Sequence, residues 1–110
     1  MGSGIFLMWV MKMKLWIDDV RPAPDGYSVA RSVNDAIFKI RIAECFDIPI
    51  DVIDIDHDAG DYADEGGDYI KILEWMESHG IKHPIHIHSM NPVGIENMRR
   101  VIRKNGWVEV

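Results

Sequence analysis

Apolar and polar positions along this chain follow two periods, and the changes of period mark its elements. Residues 13–17 form a short apolar run closed by Asp18-Asp19 and read as a strand. Prolines and a glycine over residues 21–26 mark a loop, and residues 27–31 read as a second short strand. Ser32 then stands as an N-cap, with Asp35 three residues on as an approximate capping box. Val33, Ala36, Ile37, Ile40 and Ala43 fall at helical spacing and carry a helix to about Cys45. Residues 50–56 are the third strand, and the acidic, glycine-containing run 57–67 is a loop. A helix over residues 68–78 sets Ile70, Leu73 and Met76 or Glu77 along one stripe, with Gly80 as its stop. Residues 84–88 are the fourth strand. Asn91 caps a last helix with Pro92 at its first position, where a missing N–H costs nothing. Ile95, Met98, Val101 and Ile102 face the core, Asn105-Gly106 ends the helix, and residues 107–110 read as a final strand. Trp16 and Trp75 read as core.

Strands alternating with helices imply a parallel sheet with helices on both faces, and ligands then bind beyond the carboxyl ends of the strands. The unusual residues gather at that edge: Asp18 and Asp19 after the first strand, Asp56 to Asp58 after the third, His88 and Ser89 after the fourth.

Bulk composition narrows the options. The 110 residues hold one domain, over residues 13–110, and 47% hydrophobic residues suffice for a single core. A net charge of −6 argues against an extended nucleic-acid surface, which needs a basic face. The single Cys45 cannot form an internal disulfide, which fits a reducing, cytoplasmic setting. Residues 1–12 read as an expression scar, Met1-Gly2-Ser3-Gly4, and an apolar leader, too short for the ~20 residues that span a bilayer.

The candidate chemistry comes from two strands with matching spacing. Asp54 and Asp56 alternate along the third strand as His86 and His88 do along the fourth. If the strands are neighbours, ~4.8 Å apart, the carboxylates lie beside the imidazoles. A carboxylate on one ring nitrogen fixes the tautomer and leaves the other nitrogen for substrate. His86, His88, Asp56 and His57 are therefore the candidate catalytic residues. Arg21, Ser89 and Asn91, with the N–H groups at the start of the last helix, are candidates for holding a phosphate. Asp18, Asp19, Asp56 and Asp58 would repel that phosphate and are the candidates for holding a divalent cation that reverses the sign, Mg²⁺ or Mn²⁺ with Zn²⁺ the lesser candidate; a metal-free site neutralised in part by protonated histidines is the alternative. The bland alternatives are loop caps for the aspartates and a histidine pair bonded to backbone.

Three segments carry a family resemblance. Leu15-Trp16-Ile17-Asp18-Asp19-Val20-Arg21-Pro22, Asp56-His57-Asp58-Ala59-Gly60 and His86-Ile87-His88-Ser89-Met90-Asn91-Pro92, in this order, resemble the cyclic-phosphate-processing receiver-like domains, relatives of response-regulator receivers. The resemblance implies a flavodoxin- or receiver-like three-layer sandwich: a five-stranded parallel sheet of order 2-1-3-4-5, here with the first helix replaced by the loop at 21–26. It implies Asp18 and Asp19 as the acidic pair that helps hold Mg²⁺, Asp56 as the phospho-accepting position and Ser89 as the hydroxyl ending the fourth strand. It also implies processing of cyclic phosphates in RNA repair or nucleotide metabolism. The receiver lysine at the end of the fifth strand has no match. The expectation is a phosphoesterase acting on a small phosphorylated nucleotide or an RNA terminus, with no membrane partner. The alternatives are a signalling domain phosphorylated on Asp56 and a non-catalytic binder of cyclic nucleotides.

Overall fold

The computed structural model describes residues 12–110, so all but Lys12 of the leader lies outside the described residues. The elements are β1 (Met13–Ile17), β2 (Ser28–Ala30), α1 (Val33–Cys45), β3 (Ile50–Ile55), a 3-10 turn (Gly60–Asp64), α2 (Ile70–His79), β4 (Ile85–Ile87) and α3 (Pro92–Lys104). Local chemistry explains the helix ends. Ser32 Oγ accepts the Asp35 N–H at 3.0 Å, but the Asp35 carboxylate turns to Lys39 at 2.7 Å, so half of the capping box forms. Asn91 Oδ1 accepts the Gly94 N–H at 3.0 Å with Pro92 in the first turn. Gly80, at φ 65°, stops α2.

The sheet is parallel with order β2-β1-β3-β4. It has four strands where five were expected. After α3, the chain returns beside β4 only as an isolated bridge between Ile85 and Glu109. Two bonds close it, Ile85 N to Val108 O at 2.9 Å and Val110 N to Ile85 O at 2.8 Å, and no second pair follows to make a ladder.

The register sorts residues between two faces. Leu15 lies opposite Ile53, which lies opposite Ile85; Trp16, Asp54 and His86 make the next row, and Ile17, Ile55 and Ile87 the one after. The first and third rows share one core with Val33, Ala36 and Ile40 of α1, Ile72, Leu73 and Met76 of α2, and Met98 and Ile102 of α3. Right-handed crossovers put α1 and α2 on the same side of this strand order. Among the described residues the fold therefore has two layers, not the expected three: no helix covers the Trp16 row. The residues between β1 and β2, loop as anticipated, lie there instead, with Tyr27 meeting Trp16 edge-on at 6.0 Å. Trp16 is accordingly not part of the helix-packed core. No helix among the described residues is long and apolar enough to cross a membrane.

Candidate functional site

The carboxyl ends of β1, β3 and β4 bring Asp18, Asp56 and His88 together. Each offers one ligand atom, and the three atoms lie within 4.8 Å of one another. His88 is the hub. Its Nδ1 lies 2.5 Å from Asp54 Oδ1 and its Nε2 lies 2.9 Å from Asp18 Oδ2. Both ring nitrogens therefore face carboxylate oxygens, and whichever nitrogen carries a proton donates it to the oxygen it faces. The ring also stacks on Trp16, with centroids 3.9 Å apart and planes 6° apart.

Asp18 is fully buried. Its Oδ1 accepts the backbone N–H groups of Arg21 at 2.8 Å and Val20 at 2.9 Å. Burial by itself would raise its carboxyl, but the Arg21 and Val20 N–H groups and the His88 imidazole outweigh that and hold it below the usual range. Asp19 goes the other way. Burial raises its carboxyl first, and the neighbouring Asp18 and Asp56 charges add to the rise, so it is held above the ordinary carboxylate value. Its Oδ2 sits against Gly60, where a Cβ would come within 2.3 Å of it and where φ is 55°.

Asp56 spends one oxygen on the His57 N–H at 2.7 Å. His57 turns away from the hub: its Nδ1 lies 2.8 Å from Asp58 Oδ1, and its ring packs on Gly94 in the first turn of α3. A Cβ at Gly94 would come within 2.4 Å of that ring, so this approach requires glycine. His57, Asp58 and Asp68 form a second, more exposed group of possible ligand atoms. Asn91 spends its oxygen on the helix cap and directs Nδ2 at Asp58, 3.4 Å away. Ser89 Oγ accepts the Asn91 N–H at 3.2 Å and keeps its own proton to donate. Arg21 contributes backbone, not guanidinium, to the Asp18 turn, and its side chain is exposed.

The structure brings His88, and not His86, to the carboxylates. His86 shares the face of Asp54, but it sits one row nearer the amino end, is exposed, and has its Nδ1 2.7 Å from the Val110 carbonyl oxygen. Three residues enter that sequence reasoning did not place here. Arg31 donates Nη1 to the Asp18 carbonyl at 3.0 Å and the Arg21 carbonyl at 2.9 Å. Tyr69, fully buried, donates to the Arg31 carbonyl at 2.6 Å, and its phenol is raised by burial first and then by the charges of Asp19, Asp18 and Asp56. Trp16 donates Nε1 to the Arg21 carbonyl at 3.1 Å. Position at a strand end was the one signal available for Arg31; nothing local marks Tyr69.

The donor set of two carboxylates and an imidazole suits a small divalent cation, and Asp54 behind His88 Nδ1 is the outer carboxylate such centres carry. No curated protein and no solved structure matches the chain. A family model described as the cyclic-phosphate processing receiver domain does match, over residues 13–104. Those residues include all of β1 to α3 and every group of the His88 cluster, and the chain belongs to the cyclic-phosphate processing receiver domain family.

Proposed function

We propose that this domain is a phosphoesterase that opens or removes cyclic phosphate groups on nucleotides or RNA ends. The observation that carries the reading is the Asp54–His88–Asp18 chain beside Asp56 at the carboxyl edge of the sheet. In this reading Asp18, Asp56 and His88 Nε2 hold a divalent cation, Mg²⁺ or Mn²⁺. When bound, the cation supplies the positive charge that lets a phosphate approach these carboxylates. Asp54 keeps the His88 proton on Nδ1 and aims Nε2 at the site. Asp19, which follows Asp18 at the same strand end, takes a proton from the attacking water. Ser89 gives a hydrogen bond from its hydroxyl to a phosphoryl oxygen. Opening of the ring leaves a phosphomonoester, and the departing sugar oxygen takes its proton from solvent at this open rim.

The test uses purified full chain with a panel of 2′,3′- and 3′,5′-cyclic nucleotides and cyclic-phosphate RNA ends, with Mg²⁺, Mn²⁺ or Zn²⁺ and with chelator. Phosphorus NMR should show conversion to a phosphomonoester that depends on the cation. Ligand recovered unchanged across the panel would replace the enzyme with a binder. Family membership and the β3-terminal position of Asp56 also favour a second reading, acceptance of a phosphoryl group by Asp56. A mass gain after treatment with a small phosphodonor, absent in Asp56→Asn, would select it.

A further inference from the structure

We infer that Trp16 is a positioning residue of this site: its indole sets the plane of the His88 imidazole, while its Nε1–H ties down the turn that wraps the Asp18 carboxylate. The effect on cation binding rests on the proposed function; the geometry does not.

Trp16 lies on the sheet face that no helix covers among the described residues, yet it is only 9% exposed. The core does not require it there, and its neighbours give it another task. One indole face carries the His88 ring at 3.9 Å, nearly parallel. His88 is thus fixed by two in-plane bonds, to Asp54 and Asp18, and by one stacking surface. The in-plane bonds resist tilting of the ring out of its plane only weakly, and the stacked indole opposes that tilt. The edge of Tyr27, at 82° to the indole, backs Trp16.

The same indole reaches the other half of the cluster. Its Nε1–H and Arg31 Nη1 both donate to the Arg21 carbonyl, at 3.1 and 2.9 Å. The Arg21 and Val20 N–H groups in turn donate to Asp18 Oδ1. One side chain therefore connects the ring that contacts Asp18 Oδ2 with the turn that holds Asp18 Oδ1. The loop that stands where a receiver has its first helix serves this clamp.

The test reads His88 directly. In protein labelled at histidine, with His88 assigned through His88→Gln, stacking on the indole should shift the His88 ring protons upfield in the wild type. Trp16→Leu should abolish the shift and weaken binding of Mn²⁺, measured by electron paramagnetic resonance, about 10–100-fold. Trp16→Phe keeps an aromatic face but lacks the Nε1–H; it should keep the upfield shift and recover Mn²⁺ affinity in part. Unshifted His88 protons in the wild type, or a folded Trp16→Leu with unchanged His88 resonances and Mn²⁺ affinity, would overturn the inference. If Trp16→Leu does not fold, the wild-type and Trp16→Phe ring shifts decide. If the wild type neither binds Mn²⁺ nor acts on cyclic phosphates, the functional reading falls, and the ring shifts alone still judge the positioning role.

Discussion

Neighbouring residues of β1 and β3 live in two different environments. Leu15, Ile17, Ile53 and Ile55 point at the three helices and have no exposed surface. One position along, Trp16 and Asp54 point the other way and meet a loop, an imidazole and each other's row. The helix-covered face is held by non-directional apolar burial, which tolerates small shifts. The opposite face is held by ring stacking and charged hydrogen bonds, which depend on angle and on a partner being present. The same two strands thus alternate apolar packing with a polar cluster, and under the proposed function a substitution should show in stability or in turnover according to which face it sits on.

The sharpest break of that division is His88→Gln. It removes the hub of the open face, so turnover of a 2′,3′-cyclic nucleotide should fall by about 10²–10⁴-fold while the urea midpoint moves far less. A large loss of stability with proportionate loss of turnover would merge the two faces. The converse is Ile55→Ala, on the helix side of the same strand as Asp54. Leaving a cavity among buried residues should cost about 2–5 kcal/mol in denaturant unfolding, with turnover per folded molecule preserved.

The next effect is pH-dependent. Asp18 has a folded value below its unfolded one, so its ionised form contributes stability at pH above the ordinary carboxyl range, and that contribution disappears as pH falls through the folded value. Asp19 has the opposite sign: its folded value is raised, so its ionised form costs stability at neutral pH and protonation relieves the cost. In urea titrations from pH 7 downward, the stability gap between wild type and Asp18→Asn should therefore shrink below about pH 4. A gap that stays constant would show that the Asp18 charge contributes nothing. The smallest effect should come from His86→Ala. An exposed side chain bonded to the Val110 carbonyl should change stability by less than about 0.5 kcal/mol and leave turnover unchanged, which would confine the chemistry to the last row of the face.

Much of this was readable in advance where the governing interactions are local. The helix starts at Ser32 and Asn91, the stop at Gly80 and the parallel strands rest on contacts within a few residues or on simple periodicity. The three segments that carry the family resemblance lie within residues 13–104, where the family model matches. The gathering of Asp18, Asp56 and His88 followed from strand order, because residues after the carboxyl ends of adjacent parallel strands must share an edge.

Other features had no local signature. His86 and His88 have the same residue type, period and face, and only the point where β4 stops beside β3 separates them. Trp16 looks like any core tryptophan until its ring proves to stack on His88, on a sheet face that no helix covers among the described residues. Arg31 and Tyr69 join across 38 positions of chain through a bond that no spacing announces. The sequence by itself determined the three helices and four of the five expected strands, because period, caps and turn residues act over short range, and the family resemblance supplied the order of those strands and with it the edge at which acidic and imidazole groups collect. Tertiary structure alone decided which histidine reaches the carboxylates, what holds its ring and which face the three helices cover, because those depend on where strands end and on what packs behind them.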